Sequence, residues 1–62
     1  MFKFEVLDEV YTYTGDEYFR GRIIGRAEWL DGDKTYLIAG IVGNTLSEQW
    51  YNEVILHGVE EE

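Results

Sequence analysis

Three groups of side chains in this chain have chemistry to offer. Tyr11, Tyr13 and Tyr18 surround Asp16 and Glu17 in the stretch YTYTGDEYF. Aromatic faces attract cations by ~0.5–2 kcal/mol, and neighbouring carboxylates add charge attraction. That composition suits a cationic or Pro-rich protein or peptide partner. Gln49 and Tyr51, two apart in SEQWYNEVIL, share one face of any strand that holds them, as a subunit interface would require. Arg20, Arg22 and Arg26 are three of the chain's five cations. Their even spacing lines them along one strand face, either as an anion patch or as partners for acids on neighbouring strands.

Catalytic chemistry finds fewer candidates. His57 is the single histidine and there is no cysteine, so the one group titrating near neutrality has no thiol and no serine beside it in its own segment. Asp31 and Asp33 flank Gly32 as turn-formers do, short of the acidic array of a calcium loop. No catalytic residue, metal ligand or cofactor is assigned from the sequence.

Thirteen acids against five cations give a net charge of −8. Such a surface repels a phosphate backbone and an anionic bilayer, so direct nucleic-acid and membrane binding are not expected. No apolar run approaches the ~18–20 residues of a span, and MFKFEVLDEV lacks the apolar core of a signal peptide. A cytoplasmic location is the expectation. A chain of 62 residues buries only ~60% of its unfolded surface, enough for one domain. With no disulfide to staple it, self-association is the remaining means of reinforcement, and a homo-oligomer is expected.

Turn signals at Thr14-Gly15-Asp16, Asp31-Gly32-Asp33 and Gly43-Asn44 separate β-branched and aromatic runs, the rhythm of an all-β protein. Strands are expected over residues 19–29, 35–42, 48–51 and 54–59, with a single turn at Asn52-Glu53 and a two-residue Asp-Gly hairpin in WLDGDKTY. Alternation places Phe19, Gly21, Ile23, Gly25, Ala27 and Trp29 inward and Arg20, Arg22 and Arg26 outward. Trp50 is expected to fill the core, with Gln49 and Tyr51 outward. Both faces of residues 35–42 are apolar, so a second surface, either the sheet's own closure or another subunit, should cover the outer one. The domain spans 1–59, followed by a flexible acidic tail at 60–62.

Five short strands, a long first loop and one turn before the last strand resemble an SH3-like barrel over nearly the whole chain. Phe4, Leu7 and Val10 of FEVLDEV then face inward, and the aromatic and acidic first loop resembles the ligand-binding loop of SH3 and Tudor-type barrels. A narrower resemblance is to the plasmid-borne type II dihydrofolate reductases, which are small SH3-like barrels assembled around a shared pore. The family's Phe-x-x-Gly-Asp-x-Val, Gly-x-Ile-x-Gly and Val-Gln-Ile-Tyr patches correspond to residues 4–10, Gly21-Arg22-Ile23-Ile24-Gly25 and Glu48-Gln49-Trp50-Tyr51. This resemblance implies a pore lined by Gln49 and Tyr51. The chain departs from it with Leu7 for Gly, Trp50 for Ile, and Tyr11-Thr12-Tyr13 where the family carries basic residues. The sequence is read as a five-stranded, SH3-like, non-enzymatic interaction module. A reductase-like pore and an acidic mimic of nucleic acid are the alternatives.

Overall fold

The computed structural model describes residues 2–59. Within them the strands are β1 (Glu9–Thr14), β2 (Glu17–Glu28), β3 (Lys34–Val42), β4 (Thr45–Asn52) and β5 (His57–Gly58), with a 3₁₀ turn at Glu53–Ile55 before the last. They form one antiparallel sheet in the order β4-β3-β2-β1-β5. The fold is all-β, as the turn rhythm predicts. The sheet stays open: β4 and β5 are its two edges and share no ladder, so the closed barrel is not what the hydrogen bonds draw. The expected acidic tail, Glu60 to Glu62, lies outside the described residues.

The inner face of the curled sheet carries Phe4, Val10, Phe19, Ile23, Tyr36, Ile38 and Leu56, with Phe2 and Tyr51 packed against them. Tyr36 closes one end. Its hydroxyl accepts from the backbone N–H of Lys3 at 3.1 Å and of Phe4 at 3.3 Å and donates to the Glu53 carboxylate. The Phe2 and Phe4 rings meet the Tyr36 ring edge-on, at 6.0 and 5.5 Å. On the open side the buried Thr12 hydroxyl donates to the Ile55 carbonyl at 2.6 Å, tying the 3₁₀ turn to β1.

The structure corrects several expectations. The stretch read as a long first loop is mostly strand: Tyr13 faces Tyr18 and Thr14 faces Glu17 across a tight turn, with Gly15 at φ 66, a left-handed conformation that glycine adopts without penalty. The Asp-Gly step sits inside a longer loop, closed by Gly32 N–H to Trp29 O at 2.9 Å and Trp29 N–H to Asp33 O at 2.8 Å. The last strand shrinks to His57–Gly58 because residues 53–55 coil into the 3₁₀ turn.

Two corrections concern which way side chains face. A bulge falls between Ile23 and Gly25, and one extra residue reverses the alternation beyond it. Ile23 is fully buried opposite Ile38, but Arg26 then pairs with Tyr36 on the inner side and Ala27 with Thr35 on the outer. In β4 the register sets Tyr51 against Tyr36 and Trp50 against Leu37, so Tyr51 points to the core and Trp50, 55% exposed, points away. Leu7 is exposed too, in a left-handed conformation at φ 82, while Leu56 takes a core place. The tightest strand approach is at Gly21 and Gly40, where a Cβ would lie 2.3 Å from Ala39 O and 2.4 Å from Arg20 O. Gly25 has ordinary room.

Candidate functional site

Strand alternation and the tight β1–β2 hairpin bring the tyrosines together on the outer face. Tyr11 and Tyr13 are two apart on β1, and the hairpin register sets Tyr18 opposite Tyr13. Ring centroids are 5.2 Å apart for Tyr13 and Tyr18, 5.9 Å for Tyr11 and Tyr18, and 6.2 Å for Tyr11 and Tyr13. The β1–β5 ladder places His57 opposite Tyr11, and the two rings stack at 5.2 Å with 28° between planes. Tyr13 and Tyr18 remain 62% and 51% exposed. Four rings therefore form one continuous aromatic surface. Sequence reasoning missed His57, whose place depends on a two-residue ladder between chain ends that no local pattern announces.

The acids of the same stretch divide. Asp16 occupies the hairpin turn at the margin of the tyrosines. Glu17 pairs with Thr14 on the opposite side of the sheet, where its charge joins burial, the larger cause, in raising the Tyr51 hydroxyl above the usual range.

The three arginines do three different things. Arg20 pairs with Glu9 at 2.6 Å. That hydrogen bond lowers the Glu9 carboxyl below its ordinary value and raises Arg20, with the Tyr18 hydroxyl a lesser contributor to the second shift. Arg22 donates to the Leu7 carbonyl at 3.0 Å. Arg26, turned by the bulge, donates to Phe4 O and the Glu5 carboxylate at 3.0 Å each, and its guanidinium lies over the Phe2 ring, 4.3 Å from the centroid. Arg20 and Arg22 share a face and Arg26 does not, so the three-membered stripe is broken.

Gln49 and Tyr51 lie on the inner side of β4, in a chain with Ser47: the Tyr51 hydroxyl donates to Gln49 Oε1 and Gln49 Nε2 to Ser47 Oγ, each at 3.1 Å. The Tyr51 ring is half-buried, 5.6 Å from Phe19. Among the described residues no three His, Cys, Asp or Glu side chains gather as a metal-holding group, and no helix is long and apolar enough to cross a membrane. No family model, no curated protein and no solved structure matches this chain.

Proposed function

We propose that this chain is a non-enzymatic binding module, SH3-like in architecture, that receives a cationic peptide segment on the Tyr11–Tyr13–Tyr18–His57 surface. The observation carrying the reading is the pair Tyr13 and Tyr18: two large rings 5.2 Å apart and more than half exposed, on a chain of net charge −8. Rings held in place by a hairpin present their π faces without an ordering cost, and a guanidinium or ammonium laid across them gains cation–π attraction while the surrounding field concentrates basic partners. Asp16, in the turn that joins the strands of Tyr13 and Tyr18, adds a carboxylate at that end of the hairpin. The strand order and the 3₁₀ turn before β5 support the SH3-like reading.

One observation favours the reductase-like pore as a second reading. Leu7 holds φ 82, a conformation suited to the glycine which that family carries in its opening motif. Against the pore stands Tyr51, committed to Phe19 and the core rather than to a neighbour. An acidic mimic of nucleic acid needs carboxylates ranked along one face, whereas the outer strand face alternates Glu9 and Glu48 with Arg20 and Arg22.

A heteronuclear shift titration with a short oligoarginine peptide tests the proposal. Shifts should concentrate on residues 11–18 and His57 and weaken as salt is raised. In Tyr13→Ala the spectrum should keep its native dispersion, since that ring is exposed, and the peptide should bind at least about tenfold more weakly. Undiminished binding in that variant overturns the proposal, as does a peptide that shifts only the loop at residues 29–33.

A further inference from the structure

Among the described residues, the outer face of β2, β3 and β4 is a broad strand surface left largely apolar and uncovered. Ile41, Leu46 and Trp50 are 66%, 61% and 55% exposed there, with Leu37 and Ala39 half-buried between them. By register, the charged side chains on the outer face of these three strands are Arg20, Arg22 and Glu48, and Glu9 of the neighbouring β1 pairs with Arg20, so the face carries no net acidic charge on a chain of net charge −8. Arg22 and Glu48 make no ion pair among the described residues. They stand in one row, on either side of Ala39. The next row is Gly25, Leu37 and Trp50: a position with no side chain, then a leucine, then the largest side chain of the strand.

We infer that this face is where a second copy of the chain docks, as a two-sheet sandwich. A two-fold axis lying along β3, in the plane between the copies, exchanges the β2 side with the β4 side. Glu48 of each copy then stands over Arg22 of the other, and Trp50 of each over the vacant position at Gly25. Leu37 and Ile41 meet their own copies on the axis. An isologous interface requires such self-complementarity, and the ~10 Å spacing of aligned sheets leaves room for the interleaved side chains. A basic partner protein, by contrast, would meet Arg20 and Arg22 on this β2–β4 part of the outer face, away from the tyrosines of β1. Strand spacings of ~4.8 Å and a rise of ~3.3 Å per residue give the three strands a planar footprint of roughly 400 Å². That is below the ~800 Å² per partner of standard interfaces, so the dimer is weak and depends on concentration.

Two charge reversals test the geometry. Sedimentation over a concentration series up to the millimolar range should show wild type passing from monomer to dimer. Arg22→Glu alone sets carboxylate over carboxylate, and Glu48→Arg alone sets guanidinium over guanidinium; each should stay monomeric. An equimolar mixture of the two should dimerise as wild type does, because both cross-contacts are then opposite in sign. Arg22→Glu loses its bond to Leu7 and faces Glu9, so urea unfolding checks that it is folded. Trp50→Ser, which leaves the core untouched, supplies an independent monomeric variant. A wild type that is monomeric at the highest concentration overturns the inference. So does a dimer indifferent to Trp50→Ser, or a mixture that fails to associate although both variants are folded. A dimer built instead by pairing of β4 edges would protect β4 amides from exchange and ignore both reversals, and that result also overturns it.

Discussion

Replacing Tyr36 by Phe removes one oxygen atom that three groups share. The ring stays buried and keeps its edge-on contacts to Phe2 and Phe4, so the change isolates the hydroxyl. The buried Phe4 N–H loses the hydroxyl that accepts from it, at a desolvation cost of ~1–3 kcal/mol. The Lys3 N–H keeps Glu53 Oε2 at 3.0 Å and is nearly neutral. The charge-assisted bond to Glu53 would be worth ~1.5–3 kcal/mol if dry. Glu53 is only half-buried, so water replaces part of it. A total of ~2–4 kcal/mol follows, against the ~3–9 kcal/mol that about 0.05–0.15 kcal/mol per residue gives a chain this short. Urea unfolding should show the midpoint falling by roughly 1–3 M with the slope unchanged. The pH dependence supplies a second readout. The Tyr36 hydroxyl, and secondarily the Lys3 N–H, lower the Glu53 carboxyl below its ordinary value. A depressed carboxyl contributes stability that is fully present above its unfolded pKa and lost as pH falls through the folded one. Wild type should therefore lose stability on acidification below the ordinary carboxylate range, and Tyr36→Phe should lose less over the same interval. A loss under ~0.5 kcal/mol together with an unchanged acid profile would refute the role assigned to this hydroxyl.

Glycine positions give two further tests. Gly40→Ala forces a Cβ to within 2.4 Å of a backbone carbonyl and should cost upwards of ~3 kcal/mol, or prevent folding, in thermal melts. Gly25→Ala, where the nearest atom is a side-chain carbon at 3.6 Å, should fall within ~1 kcal/mol of wild type. Leu7→Gly relieves a left-handed backbone at φ 82 on a side chain that buries little, and should be neutral or stabilising by up to ~1 kcal/mol in urea unfolding. A clear loss of stability would show that the Leu7 side chain packs in solution.

What was legible in the sequence follows from which interactions are local. The apolar, β-branched and aromatic run of residues 35–42 and the turn glycines specify strands and hairpins, and both are found. Side-chain direction beyond Ile23 was not legible, because Gly21 and Gly25 both mark places where a strand can bulge or bend, and only the β2–β3 register shows that the extra residue falls between Ile23 and Gly25. The direction of Trp50 and Tyr51 depends on the register that the Gly43-Asn44 turn imposes on β4, and a one-residue difference there exchanges the two faces. The aromatic surface was half legible: Tyr11, Tyr13 and Tyr18 meet through one hairpin, whereas His57 reaches them only through pairing between opposite ends of the chain.

The bulge at Ile24 joins these parts. By reversing the alternation it sends Arg26 over Phe2 to close the end of the core, and it places side-chain-free Gly25 on the outer face beside Leu37, where the opposing Trp50 needs a hollow. A strict alternation would have kept Arg26 outward in line with Arg20 and Arg22, adding charge to a surface that is instead largely apolar. The tyrosine surface lies on β1, β5 and the end of β2, to one side of the docking face, so a sandwich with its axis along β3 leaves it open on both copies. If both proposals hold, the dimer would carry two of the proposed cation-binding surfaces, and a basic chain long enough to reach both would gain avidity that neither surface alone provides. The two proposals fail separately. A monomeric Trp50→Ser protein should still bind the short oligoarginine peptide with wild-type affinity per chain, and Tyr13→Ala should still dimerise. Loss of both properties in either variant would mean that one surface serves both contacts.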